Sequence, residues 1–111
     1  MMVLYYEAHT NPSAGDNLIE KSAVRISNRW RKLMRIGWVG GAAIADGSIK
    51  IYVGSTIVAL VYNNDAGDTV LQNLALPTGG IWIPRGVQVT VEVASSTGAD
   101  NYTLLLDIKD M

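Results

Sequence analysis

The chain has 111 residues, no cysteine and a formal net charge of −1, with 49% hydrophobic and 17% charged residues. That length supports one domain with its own core, and the missing cysteines exclude disulfides and thiolate metal sites. Charged residues fall below the usual quarter, which gives copies of the chain little reason to stay apart.

The first residues, MMVLYYEAHT, carry neither a basic segment nor a long apolar one, so no signal peptide is expected. Residues 2–8, MVLYYEA, are β-branched and aromatic and predict a first strand. Residues 9–17, HTNPSAGDN, read as loop.

Residues 18–36, LIEKSAVRISNRWRKLMRI, fit two patterns. As a helix, Leu18, Ser22, Ile26, Trp30 and Met34 align at i, i+4, with Asn17 and Glu20 as a capping box. As strands, Val24 and Ile26 alternate with Arg25, and Trp30, Met34, Ile36 and Trp38 share a face that Lys32 fits badly. Serine and asparagine side chains compete for the backbone inside helices, so two strands with a turn near Ser27-Asn28 are the expected arrangement.

Residues 48–63, SIKIYVGSTIVALVYN, predict a hairpin around Gly54-Ser55. That loop pairs Val53 with Thr56, Ile51 with Val58 and Ile49 with Leu60, all toward the core. Tyr52, Ile57 and Val61 then lie on an outer face too apolar to be left in water. TVLQNLAL (69–76) predicts a short strand. In GGIWIPRGVQVTVEV (79–93), Val87, Val89, Val91 and Val93 share one face of a strand. Pro84-Arg85-Gly86 predicts a corner at which the chain passes from one sheet to the other. Trp82 is expected to plug that end of the sandwich; the alternatives are a subunit contact or an exposed stacking platform with Arg85 beside it. In YTLLLDIK (102–109), Tyr102, Leu104, Leu106 and Ile108 face inward. About eight strands separated by short turns predict an all-β fold, an antiparallel β-sandwich.

The W-I-P-x-G corner, the RIGWVG segment (35–40), the IKIYVGSTIVALVYN hairpin and the final YTLLLDI strand together resemble small jelly-roll β-sandwich proteins of icosahedral viruses with internal membranes. These are capsid-associated, vertex and spike-base proteins. The resemblance spans most of residues 20–109 and departs at the basic stretch 18–36. It implies a jelly-roll-like subunit of a virion, associating with itself and with other shell proteins. It supplies no active site.

Chemistry is sparsely encoded. His9 is the one histidine, and one histidine cannot build a zinc site. Asn63, Asn64, Asp65 and Asp68 are oxygen ligands in a stretch too short for an EF-hand loop, and they suit a plain turn equally. No paired carboxylates with a fixed separation stand out. A non-enzymatic protein without cofactor or metal is expected. Six of the nine basic residues fall within 21–35, where there is no acid. Arg25, Arg29, Arg31 and Arg35 are therefore expected to meet an anionic partner: a neighbouring subunit first, with nucleic acid or an anionic membrane surface as alternatives. The competing reading of the whole chain is a carbohydrate- or ligand-binding module that presents Trp82, Trp38 or Trp30 to a sugar. No run reaches the roughly 18 apolar residues of a membrane helix. A virion is the expected location if the viral reading holds, and otherwise a soluble intracellular one.

Overall fold

A computed structural model describes residues 2–10, 12–40, 47–62, 80–95 and 101–110. Among them are seven strands: β1 (Met2–Thr10), β2 (Arg31–Gly40), β3 (Ser48–Val53), β4 (Thr56–Tyr62), β5 (Ile81–Ile83), β6 (Val89–Ser95) and β7 (Asn101–Asp110). They form a four-stranded sheet ordered β1-β7-β2-β5 and a three-stranded sheet ordered β4-β3-β6. All pairings are antiparallel. The fold is the all-β sandwich that the alternating pattern predicts. The strand expected over 69–76 and the ligand candidates Asn63, Asn64, Asp65 and Asp68 lie outside the described residues.

The core lies between the two sheets. One sheet contributes Leu33, Ile36, Trp38, Ile83, Leu104, Leu106 and Ile108; the other contributes Ile49, Ile51, Val61, Val89, Val91 and Val93. Period-two alternation places these residues inward because each face of a pleated strand collects every second side chain. Trp38 lies flat on Tyr102, with ring centroids 4.8 Å apart and planes 3° from parallel. At the corner, β5 belongs to the four-stranded sheet and β6 to the three-stranded one, so the chain changes layers across Pro84–Gly86. Gly86 has φ +74 and donates its N–H to the Ser27 carbonyl at 2.7 Å. An L side chain is strained at that φ, so glycine suits the corner.

Of the two strands expected within 18–36, the second is β2, whereas residues 18–30 form neither the first strand nor the helix. They contain one short 3-10 turn, Ala23–Arg25, opened by Ser22, whose hydroxyl accepts from the Val24 N–H. Asn17 caps no helix. Its side-chain carbonyl accepts from the N–H groups of Ile19 and Val91. The backbone of Gly15, Asp16 and Leu18 bonds to Val91 and Val93 and covers the open edge of β6. Ile19 is pinned into the core as a result. Side chains that compete for backbone donors made this segment a strap rather than a regular element.

Two bulges reset which residues face inward. In β2 the register slips between Leu33 and Arg35. Arg31 and Leu33 therefore point inward before the slip, and Ile36 and Trp38 after it. This explains why Lys32 fitted the uninterrupted pattern badly. In the hairpin the register slips between Ile51 and Tyr52, so Ile51 faces Ala59 and Ile49 faces Val61. An extra residue on one strand turns every later side chain to the other face. The expected pairs Ile51–Val58 and Ile49–Leu60 are thereby corrected. Gly54 at the hairpin tip has φ +62, the positive value the turn requires.

Candidate interaction surface

The bulge in the hairpin decides what the outer face of the three-stranded sheet offers. Val61, expected there, is buried in the core. Leu60 and Tyr62 take its place, and with Ile57 they are 51%, 50% and 52% exposed respectively. The cross-strand rows on this face are Leu60–Lys50–Glu92 and Ile57–Tyr52–Thr90. Tyr52 is half-buried within its row. The strand sequence TIVALVY has no charge and no proline. Among the described residues, β3 is the only strand that pairs with β4. Natural edge strands are usually blunted by lysine, proline or a cover because their free backbone groups template further pairing. Among the described residues, β4 has only its bulge.

The basic stretch does not form one patch. Arg31 is buried, so it cannot meet a macromolecular partner as expected. Its odd position, shared with Leu33 ahead of the bulge, turns it inward. Arg35 points outward and binds Asp107, Nε to Oδ2 at 2.8 Å. Arg25 donates to the Glu20 carbonyl at 3.1 Å. Arg29 is exposed, and its backbone N–H binds the Ser27 hydroxyl.

The tryptophans separate cleanly. Trp38 is walled into the core and cannot serve as a platform. Trp82 does not plug the sandwich end: Ile81 and Ile83 turn inward and Trp82 outward, 49% exposed. Trp30 meets it edge-on, with centroids 5.9 Å apart and planes at 85°. The cation over Trp82 is Lys32, its Nζ 4.4 Å from the ring centroid, while Arg85 stands exposed at the corner.

Searches against known protein families, characterised proteins and solved structures return no match.

An open cleft of about 650 Å³ lies between the end of β1 and the strap, with His9, Pro12, Asp16, Glu20 and Gln88 on its walls. Behind two of its wall residues, His9 and Leu18, the Tyr5 hydroxyl sits 2.9 Å from His9 Nε2, 3.1 Å from the Leu18 carbonyl and 3.3 Å from Glu7 Oε2. Burial, and then the Glu7 charge, push the Tyr5 pKa up to about 12. The phenol stays protonated at neutral pH and can donate, so it clamps the strap to β1 rather than acting as a base. Burial lowers the His9 pKa, against a smaller opposing pull from Glu7. A histidine with a depressed folded pKa contributes stability that is complete above the unfolded value of 6.5 and is lost as pH falls through it. The stability of the wild-type chain to urea should therefore fall as pH falls from about 7 to about 5.5, and His9→Gln should flatten that slope. A slope unchanged by the substitution would assign it to other groups.

Among the described residues no group of histidine and carboxylate side chains could hold a metal ion, and no helix is long and apolar enough to cross a membrane. What the described residues offer at the surface is an apolar, uncharged strand edge, an exposed tryptophan pair and a clamped cleft.

Proposed function

We propose that this protein is a non-enzymatic structural subunit whose copies associate through β4 and the outer face of the three-stranded sheet. The observation that carries the reading is β4 itself: seven residues without a charge, with Ile57, Leu60 and Tyr62 each about half exposed. The occupant is a second copy. Lys50 and Glu92 lie side by side in the row that contains Leu60. A two-fold arrangement can set the lysine of one copy against the glutamate of the other, which is the self-complementarity an isologous contact needs. The resemblance to small virion sandwich proteins supports a shell as the assembly in which such a subunit works, alongside other shell proteins. Sedimentation at rising concentration tests the association. A dimer or larger species at micromolar concentration is expected; a strict monomer at low and moderate salt would remove the reading.

Trp30 and Trp82 support a second reading, a carbohydrate-binding module, because two half-exposed rings stand together on the other sheet. It predicts a glycan-induced shift in tryptophan emission that Trp82→Ala abolishes. No shift across neutral and acidic glycans would dismiss it.

A further inference from the structure

The outer face of the four-stranded sheet carries a second exposed apolar surface. In β1, Tyr5 turns into the core, so Leu4 and Tyr6 turn outward, each 58% exposed. At the far edge of the sheet Trp82 of β5 turns outward, with Trp30 against it. The strand register sets these side chains in rows. Lys109, Lys32 and Trp82 form one row, Leu4, Asp107 and Arg35 the next, and Tyr6, Leu105 and Gly37 a third. Leu4 and Trp82 stand three strand spacings apart, about 14 Å. Val39 and Thr103, further along this face, are buried, so the open area is the end that holds these rows.

The open end is positively charged. Its acid, Asp107, is paired with Arg35. Glu7 and Asp110 share the inward side of their strands with Tyr5 and Ile108. Lys32 and Lys109 lie directly opposite each other, and neither makes an ion pair among the described residues. Like charges so placed repel and weaken a sheet, and a negative partner relieves the strain. Arg29 and Arg85 are exposed in the segments that carry Trp30 and Trp82, which the bond from Gly86 to Ser27 ties together.

Tryptophan and tyrosine favour the headgroup layer of a bilayer, where the apolar ring and its polar tip are both accommodated. Lysine lays its stem along apolar surface and presents its ammonium to anionic headgroups. A broad face of aromatic and aliphatic side chains around unpaired cations has that composition. A single-stranded polyanion fits it less well: two rings at 85° cannot both stack on successive bases, and Leu4 and Tyr6 would have no role.

We infer that this face docks on an anionic lipid bilayer, with Leu4, Tyr6, Trp30 and Trp82 entering the headgroup layer and Lys32 and Lys109 meeting its negative charge. β4 belongs to the other sheet, whose outer face points the opposite way, so docking and self-association can be tested separately.

The test is flotation of the full chain with phosphatidylcholine vesicles containing about 30% phosphatidylserine, with tryptophan emission read alongside. Binding is expected, with a blue shift as the rings leave water, and binding to pure phosphatidylcholine should be at least about tenfold weaker. Each lysine near an anionic surface strengthens binding about fivefold, so Lys32→Gln combined with Lys109→Gln should weaken it about twentyfold. Trp82→Ala should weaken binding and remove most of the blue shift. Lys21→Gln removes an exposed cation on the strap, away from this face, and should leave binding unchanged. No flotation, equal binding to both kinds of vesicle, or a comparable loss from Lys21→Gln would overturn the proposal. So would dextran sulfate that binds as tightly as the vesicles and depends on Trp82 in the same way, because the face would then belong to an acidic glycan. Loss of self-association in the double lysine variant would also overturn it, since a second copy would then occupy the face.

Discussion

Leu60→Glu is expected to leave the subunit folded and to weaken self-association at least about a hundredfold, since a charge that is solvated in the free subunit must be desolvated in the contact of both copies. Leu60 lies on the outer face, half exposed and directly opposite Lys50. A glutamate there gains an opposite charge across the strands, which favours the folded monomer by a few tenths to about 1 kcal/mol. The core is untouched because Val61 and Ala59, not Leu60, face Ile49 and Ile51. Ile57→Lys is the companion variant: Tyr52 lies opposite it and tolerates a cation. Both variants should run as monomers in sedimentation with unchanged far-ultraviolet dichroism. Persistent association of both would move the contact elsewhere on the molecule.

Trp38→Ala carries the second large effect, a loss of about 3–5 kcal/mol of folding stability. That is a large share of the roughly 5–15 kcal/mol that holds a domain together. Trp38 is fully enclosed and stacked on Tyr102, so its removal leaves a void that neighbouring strands cannot close. Trp38→Phe should cost much less, because it keeps a ring on Tyr102 and deletes an indole N–H that has no hydrogen-bond partner among the described residues. Trp82→Ala, on the exposed face, should stay within about 1 kcal/mol. Urea denaturation of the three variants separates these values. Equal losses at Trp38 and Trp82 would contradict the burial assigned to them.

These contrasts mark where local pattern sufficed and where it did not. The valine strand, the Pro84–Gly86 crossing between sheets and the inward face of β7 follow directly from alternation and from the positions of proline and glycine. The face of Leu60 and Val61 does not. A bulge is set by how two strands twist against each other and against the facing sheet, and no short-range pattern marks the extra residue. The same holds at Met34, where the slip rescues Lys32 from the core and commits Arg31 to it. Trp82, expected to plug the sandwich end, was misplaced although the signal was present: Ile81 and Ile83 share one face, so the residue between them takes the other. The strap over 12–30 was not legible, because its backbone bonds go to β6, more than seventy residues along the chain.

Amide hydrogen exchange along β4 at two protein concentrations tests the central claim most directly. Association through this strand predicts that amides of Thr56–Tyr62 not bonded to β3 exchange freely when dilute and gain protection at micromolar concentration and above, while those of β6, already covered by the strap, do not change. Exchange along β4 that is identical at both concentrations would contradict it.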